Sequence, residues 1–420
     1  GILENGGENI PGYSGFPAVS ERFPGGAGGL VNFLFGTGES GEFEQVTALN
    51  HPEVGLCGFL AIHDTAPGPA FGGIRLYPYA GRQEALRDCL RLARAMTEKC
   101  LLAGIPAGGG KVVLVEQEGM DRRGALRLLG RHLEAMGGRL VTGPDLGTSP
   151  EDLVEVGRVS RFVITPDMAE SGEMGVATAL GVVEAMRAAS RLMGEGGRLA
   201  ELKVVIQGTG RVGGQVARLL HREGARLVLS DVDEGRVRAL AGELGAERVE
   251  PAAACAEPCH IFSPCARGGV IHDVTLERLA CRAVVGSANN QLARPEHGMA
   301  LHRRGILHAP DILVNAGAIT LAASRYLGGG APPEESGRRI GHAVESILQA
   351  SRERDVPPSD IAREQAARRL DRSRRPPYFP PSAWGRTSAT PCQARSCFFP
   401  PPPKRGVRAN SPRPEWAAGV

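Results

Sequence analysis

The chain has 420 residues, of which 42% are hydrophobic and 23% charged, the balance of a folded globular protein. A chain of this length is longer than one hydrophobic core usually serves, so we predict two domains with additional segments. The formal net charge is +3, but a basic segment over residues 371–420 accounts for it, and the mildly acidic remainder argues against nucleic acid binding. No apolar run approaches about 18 residues and the first residues lack a secretory pattern, so we expect a cytoplasmic protein with no membrane partner.

Cysteine usage argues against both a disulfide scaffold and a metal site. The nine cysteines are an odd number and are scattered along the chain, so reduced thiols are expected. Cys255, Cys259, His260 and Cys265 are close in sequence, but they contain no Cys-x-x-Cys pair. We therefore expect no metal cofactor.

The regular pattern begins after a Gly-rich stretch, residues 1–42, which we expect to be irregular. The segment GLCGFLAIH predicts a strand, and RQEALRDCLRLARAMTEKC predicts a helix that ends near Lys99. A glycine loop, AGIPAGGG, then leads to a strand that begins at Lys111. The apolar face of the helix is formed by Leu86, Leu90, Ala93, Met96 and Thr97.

Helices and strands continue to alternate beyond Lys111. GALRLLGRHLEAMG predicts a helix, RLVTGPDLGT a strand, and SPEDLVEVGRV a helix with a polar N-cap. A long helix, GVATALGVVEAMRAASRLMG, precedes a strand, a glycine turn, a helix and another strand. The alternation favours an α/β fold, whereas the Pro-rich residues 371–420 are expected to be disordered.

The glycine turn has the spacing of a dinucleotide-binding site. Gly208, Gly210 and Gly213 follow the apolar strand VVIQ, and Asp231 closes the next strand, 23 residues after Gly208. These glycines permit a tight turn, close approach of a pyrophosphate and close packing of helix on strand. Asp231 would accept hydrogen bonds from ribose hydroxyls and repel a 2′-phosphate, so the predicted coenzyme is NAD rather than NADP. The predicted cofactor-binding turn also includes Arg211 and Val212.

Two lysines flank the glycine loop, Lys99 before it and Lys111 after it. Taken alone, each is more often a solvated charge than a catalyst. A lysine held out of water near another cation has its pKa lowered and can act as a base near neutral pH. Lys111, between three glycines and VVLV, is predicted to be held in a cleft in this way.

Six segments between about residues 43 and 370 resemble, in order and spacing, the signatures of the glutamate/leucine/phenylalanine/valine dehydrogenases. They are GPAFGGIR, LRLARAMTEK, AGIPAGGGK, TGPDLGTS, GSANNQL and APDILVNAGAI. The resemblance implies an α/β substrate-binding and oligomerisation domain, a Rossmann dinucleotide-binding domain and an active-site cleft between them. The corresponding domain limits are 43–175 and 176–328, with a helical segment, 329–370, that returns to the first domain.

The resemblance also implies a role for each matching residue. Lys99 would bind the α-carboxylate of an amino acid substrate, Lys111 would activate the water that attacks the imine, and Asp145 would exchange protons with the amine. Gly72 and Gly73 would let the substrate lie against the backbone. In the coenzyme half of the site, Thr178 would hold the nicotinamide carboxamide, and Asn289 and Asn290 would lie between ribose and substrate.

The substrate side chain is expected to be apolar. Glutamate dehydrogenases commonly have a lysine immediately before the two glycines, but this chain has Phe71 there, and a buried carboxylate without a partner is costly. By position, Gly143, Ile319 and Ala322 match residues of the side-chain pocket. The pattern therefore favours the leucine/phenylalanine/valine branch and leaves leucine, valine, isoleucine and phenylalanine open.

Some positions depart from the family pattern. Leu321, Ser324 and Arg325 replace residues usual after NAGA, and Glu98 stands where an aromatic residue is common. The leading prediction is an NAD-dependent L-amino-acid dehydrogenase that forms a homo-oligomer. The alternatives are a catalytically impaired nucleotide-binding homologue and a glutamate dehydrogenase.

Overall fold

The computed structural model describes residues 43–165, 172–329 and 332–374. Two β-sheets, each flanked by helices, confirm the predicted α/β fold. The predictions for residues 1–42 and 375–420 lie outside the described residues. Residues 371–374 were expected to begin a disordered tail, but they form the last turn of the final helix.

The first sheet is mixed, in the order β1-β2-β4-β3-β5. Strand β4 lies at its centre, antiparallel to β2 and parallel to β3, and β5 extends the sheet beyond β3. The strands are β1 (Gln45–His51), β2 (Leu56–Asp64), β3 (Ala70–Tyr77), β4 (Gly108–Val115) and β5 (Leu140–Pro144). Its helices are α1 (Arg82–Leu102), α2 (Arg122–Ala135) and α3 (Pro150–Gly157).

Helix α1 is three residues longer than predicted, since it continues past Lys99 to Leu102. Its predicted apolar face is buried except at Met96, which is partly exposed. The predicted polar N-cap of α3 is confirmed, because the Ser149 side chain accepts a hydrogen bond from the backbone N–H of Asp152, and the Asp152 carboxylate accepts one from the backbone N–H of Ser149. Reciprocal bonds of this kind satisfy two backbone donors at a helix start.

The second sheet has the strand order of a Rossmann domain. It follows α4 (Glu173–Leu192) and runs β11-β10-β9-β6-β7-β8, with all strands parallel. Dinucleotides bind at the carboxyl ends of such strands, where the strand order reverses. The strands are β6 (Lys203–Gln207), β7 (Arg226–Ser230), β8 (Glu247–Arg248), β9 (Ile261–Pro264), β10 (Ala283–Val284) and β11 (Leu307–His308). The helices are α5 (Arg211–Arg222), α6 (Glu234–Leu244), α7 (Asp273–Arg278), α8 (Glu296–Arg303) and α9 (Asp311–Val314).

The remaining helices connect the two sheets. They are α10 (Gly317–Tyr326), α11 (Pro333–Arg354) and α12 (Pro358–Arg374). Helix α11 packs along α4, and α12 returns to α1, where Arg369 Nη1 donates to the carbonyl of Leu101 at 2.6 Å. One hydrophobic core runs from Phe71 in the first sheet to the strands of the second. No helix in the described ranges is both long and apolar enough to cross a bilayer.

Candidate active site

Lys111 and Asp145 form an ion pair in the first sheet. Lys111 is the fourth residue of β4 and only 4% exposed. Its Nζ lies 2.8 Å from Oδ2 of Asp145, the residue that follows β5. A second cation, Arg75 on β3, places Nε 2.9 Å from the same oxygen. The two residues predicted to be catalytic are therefore in contact, and their roles stay predictions.

The charge state of Asp145 follows from these two cations. Burial by itself raises the pKa of a carboxyl group, because the charged form loses hydration. Lys111 and Arg75 act in the opposite direction, through charge and hydrogen bonding, and they hold the pKa of Asp145 well below its usual range. Asp145 is thus a carboxylate that can accept a hydrogen bond from a cationic substrate group.

The predicted loop before Lys111 is confirmed for residues 103–107, but the prediction that its three glycines belong to the loop is wrong. Gly108, Gly109 and Gly110 are the first three residues of β4. A Cβ on Gly109 would lie 2.1 Å from the backbone nitrogen of Thr97, and one on Gly108 would lie 1.7 Å from the carbonyl oxygen of Asp64. The glycines are needed because α1 and β2 pack directly against the backbone of β4.

Close packing also explains why residues 72 and 73 are glycines. A Cβ on Gly72 would lie 1.8 Å from the carbonyl oxygen of Gly110, and one on Gly73 would lie 2.8 Å from Cβ of Asp145. Side chains at these positions would push β3 away from β4 and from the turn that carries Asp145. Their predicted contact with the substrate backbone stays a prediction.

Lys99 lies in the last turn of α1 and faces the second domain. Its Nζ donates a 2.6 Å hydrogen bond to Oδ1 of Asn315, and Asn315 Nδ2 donates to Oδ1 of Asn289 at 2.7 Å. Burial of the ammonium lowers the pKa of Lys99, partly offset by the negative charge of Asp311. An incoming carboxylate would restore a favourable partner for the protonated lysine.

Asn290 also links the two domains. Its backbone has a positive φ of 51°, and its N–H donates to Oδ2 of Asp311 at 2.6 Å. Arg91 on α1 places Nη1 3.5 Å from the Asn290 side-chain oxygen. The predicted residues Asn289 and Asn290 therefore lie opposite α1, the helix that carries Lys99.

Three of the four residues predicted for the side-chain pocket lie in one apolar cluster. Phe71 is fully buried, and Ile319 and Ala322 of α10 pack in the same cluster. The ring of Tyr326 meets the ring of Phe71 edge to face, with centroids 5.7 Å apart. The fourth residue, Gly143, pairs with Gly73 across β3 and β5.

Two of the residues that depart from the family pattern, Arg325 and Ser324, make polar contacts in the structure. Arg325 forms an ion pair with Glu173 at the start of α4, and Ser324 hydrogen-bonds to the carbonyl of Gly329. Leu321 is buried and Glu98 is partly buried on α1.

The glycine turn of the second domain has the geometry expected of a dinucleotide site. Gly208, directly after β6, has φ of +100°. A Cβ on Gly213 would lie 1.9 Å from the Gly208 carbonyl oxygen, whereas Gly210 has open space around its Cβ position. Arg211 and Val212 begin α5, so the first N–H groups of this helix are available to a phosphate. The turn therefore fits the pyrophosphate of a dinucleotide.

Asp231 directly follows β7 and supports the same turn. Its Oδ2 accepts hydrogen bonds from N and Oγ1 of Thr209 at 2.6 and 2.9 Å, and its Oδ1 accepts one from the N–H of Asp233. Burial raises the pKa of Asp231, but these bonds, together with the charge of Arg236 3.7 Å from Oδ2, outweigh the effect of burial and lower it. A carboxylate has about four acceptor positions, so one remains for a ribose hydroxyl. The other predicted cofactor residue, Thr178, lies on α4 and donates to the carbonyl of Met174.

Arg75, Asn315 and Tyr326 contact the predicted site residues but were not singled out from the sequence. Arg75 lies in the segment GPAFGGIR and Asn315 in the segment APDILVNAGAI. In each case a polar residue among mainly apolar or small residues was the sequence signal that could have identified a site residue. Among the described residues, no group of three or more His, Cys, Asp or Glu side chains is arranged to hold a metal ion.

The chain resembles known amino acid dehydrogenases along most of its length. The sequence model described as Glu/Leu/Phe/Val dehydrogenase, dimerisation domain, matches residues 43–158, and that described as Glutamate/Leucine/Phenylalanine/Valine dehydrogenase matches residues 231–330. Phenylalanine dehydrogenase of Thermoactinomyces intermedius is 42% identical over 290 residues, covering 68% of this chain and 79% of that protein. Leucine dehydrogenase of the same organism is 37% identical over 339 residues, covering 80% and 92%.

The chain belongs to the glutamate/leucine/phenylalanine/valine dehydrogenase family. A solved structure agrees: that of L-tryptophan dehydrogenase from Nostoc punctiforme superposes with a TM-score of 0.71 at 33% identity, covering 79% of this chain and 97% of that one. The predicted family is confirmed, and the protein is an oxidoreductase that acts on amino acids. Family membership implies a nicotinamide coenzyme.

Proposed function

We propose that this dehydrogenase catalyses NAD-dependent oxidative deamination of an apolar L-amino acid to its 2-oxo acid and ammonia. The observation that carries the proposal is the buried Lys111–Asp145 ion pair on the first sheet, with the two charged atoms 2.8 Å apart. In addition, Lys99, on a helix that packs on this sheet, donates a hydrogen bond to Asn315 of the coenzyme domain. Such a site has a cation for the substrate carboxylate, a base for water and an anion for the amine.

The chemistry divides among these residues. Lys99 and Asn315 bind the α-carboxylate and orient Cα toward the coenzyme domain. A bound nicotinamide coenzyme would supply the acceptor for the hydride that leaves Cα. Lys111 acts as the base for the water that attacks the resulting imine carbon. Asp145 accepts the hydrogen bonds of the amine and exchanges protons with it as ammonia leaves.

NAD is proposed over NADP because of Asp231. Its charge lies at the end of β7, where the adenosine ribose binds in Rossmann domains, and it would repel a 2′-phosphate. The glycine turn and the N-terminus of α5, with Arg211 and Val212, would hold the pyrophosphate. Thr178 and Asn289 would hold the nicotinamide end.

The apolar substrate is proposed from the side-chain pocket. The rings of Phe71 and Tyr326 pack edge to face, Ile319 and Ala322 lie in the same cluster, and Gly143 adds no side chain. A glutamate side chain would bury its carboxylate against these groups without a partner. We propose that the substrate is leucine, valine, isoleucine or phenylalanine, and that the first domain, which matches a dimerisation domain, forms a homo-oligomer.

The test is a substrate panel with both coenzymes. Purified enzyme is incubated with leucine, valine, isoleucine, phenylalanine or glutamate, and NADH or NADPH formation is recorded at alkaline pH. We expect turnover of at least one apolar substrate with NAD, and a kcat about 100-fold or more lower for Lys111→Ala. Lys203→Ala is the control, because Lys203 begins β6, pairs with Glu257 and lies outside the cleft. No turnover of any apolar substrate, or faster turnover of glutamate, would refute the proposal.

A further inference from the structure

Arg75 is held between two carboxylates beside the Lys111–Asp145 pair. Its Nε lies 2.9 Å from Oδ2 of Asp145, and its Nη1 lies 2.9 Å from Oδ2 of Asp88. The Arg75 side chain is 15% exposed. Because a guanidinium is planar and rigid, contacts on two of its edges fix its orientation.

Asp88 is itself held by two further groups. The hydroxyl of Tyr79 donates to its Oδ2 at 2.5 Å, and Arg91 Nη2 donates to its Oδ1 at 2.6 Å. Burial raises the pKa of Asp88, but Tyr79 and the arginines outweigh burial and lower it, so Asp88 stays charged. Arg91 also comes within 3.5 Å of Asn290. The network thus extends from Asp145 to the coenzyme domain.

The two cations bind the same oxygen of Asp145. Lys111 and Arg75 both contact Oδ2, and Oδ1 accepts no hydrogen bond from any described residue. If Lys111 alone bound Oδ2, the carboxylate could rotate and present either oxygen to it. With Arg75 in place, rotation would break the charge-assisted hydrogen bond from Arg75 as well as the close ion pair with Lys111, and charge-assisted hydrogen bonds are among the stronger ones in proteins.

We propose that Arg75, held by Asp88, is a positioning residue that fixes Asp145 so that Oδ1 faces the substrate amine. Arg75 does not touch the substrate, and it acts through Asp145. The inference rests on the proposed deamination, since the amine is the group that Oδ1 receives. Asp88 has the supporting role, because it fixes the far edge of the Arg75 guanidinium.

The test compares kcat and KM for Arg75→Gln, Arg75→Lys and the control Arg87→Gln. Arg87 is an exposed residue beside Asp88 on α1. For Arg75→Gln we expect a kcat roughly 10- to 100-fold below wild type, the scale of a misplaced acid–base group, with KM for NAD changed less than about threefold. Arg75→Lys should recover part of this loss, because lysine keeps the charge but reaches only one carboxylate. Arg87→Gln should match wild type.

A double-mutant cycle tests whether Arg75 acts through Asp145. In single-turnover measurements with excess enzyme, Arg75→Gln should change the residual rate of Asp145→Asn by less than about twofold, because the group that it positions has gone. An equal loss in both backgrounds would overturn the proposal, as would an Arg75→Gln kcat within about twofold of wild type.

Asp88→Asn provides the same test if Arg75→Gln does not fold, which a thermal melt reports. It leaves β3 unchanged and should lower kcat several-fold, again only when Asp145 is present. An unchanged kcat in Asp88→Asn would overturn the supporting role. If wild type itself turns over no amino acid, the proposed function fails; if wild type is active and Arg75→Gln equals it, this inference alone fails.

Discussion

Replacing Gly109 by alanine tests the packing that brings Lys99 and Lys111 together. Gly109 lies in β4 against α1, and an added Cβ would be 2.1 Å from the backbone nitrogen of Thr97 and 2.5 Å from the carbonyl oxygen of Ala93. Both atoms belong to the backbone of α1, so neither can rotate away as a flexible side chain would. The helix must therefore move from the strand.

The size of the effect follows from these distances. Ordinary contact begins at 3.4 Å, so α1 must move by about 1.3 Å. Overpacking of this kind costs about 1–3 kcal/mol, which corresponds to a melting temperature lower by about 2–10 °C. Lys99 moves with α1 while Lys111 stays on β4, and a misplacement of about 1 Å can cost about 100-fold in rate.

Thermal unfolding and kcat, measured on Gly109→Ala and Gly242→Ala, provide the assay. Gly242 is exposed in α6 with nothing within 4 Å of its Cβ position, so the same change there should stabilise the protein by up to about 1 kcal/mol. A Gly109→Ala enzyme with the melting temperature and kcat of wild type would refute the reasoning, since a flexible loop would tolerate the change.

Further predictions concern the loss of stability at acid pH, the choice of coenzyme and the choice of substrate. Since Lys111 and Arg75 outweigh burial and lower the pKa of Asp145, this carboxylate stabilises the fold above its unfolded pKa of about 3.9, and that contribution is lost as the pH falls through the lower folded pKa. Urea unfolding of wild type and Asp145→Asn should therefore differ at pH 7 and converge below about pH 3.9; a constant difference would contradict this. Asp231→Ala should raise KM for NAD about tenfold and increase the NADP-to-NAD ratio of kcat/KM, and an unchanged ratio would remove the argument for NAD. Tyr326→Leu should change the ratio of kcat/KM for phenylalanine and leucine about tenfold, whereas Tyr326→Phe, which keeps the ring, should not.

Local sequence was sufficient to predict features that depend on only a few consecutive residues or elements. The turn from Gly208 to Gly213 needs only a strand, a tight turn and a helix in succession, and the structure has all three. The capping box at Ser149 is equally local. The six family segments predicted that Lys99, Lys111 and Asp145 share one site, and the structure brings Lys111 and Asp145 into contact.

The three glycines before Lys111 show where the local sequence pattern is insufficient to predict the structure. Three consecutive glycines favour a loop when only their own conformational freedom is considered. In the folded chain, β2 lies so close to Gly108, and α1 so close to Gly109, that any side chain at these positions would clash with backbone atoms. The absence of Cβ atoms is therefore a packing requirement of a central strand, and it depends on residues far along the chain.

The sequence alone determined the family, the α/β class, the glycine turn and the residue types that the proposed deamination needs. The tertiary structure decided how those groups meet. Arg75 is 70 residues from Asp145 and Lys99 is 216 residues from Asn315, so only sheet pairing and domain packing bring each pair within hydrogen-bond distance. The same packing places both cations on one oxygen of Asp145, which no local pattern could specify.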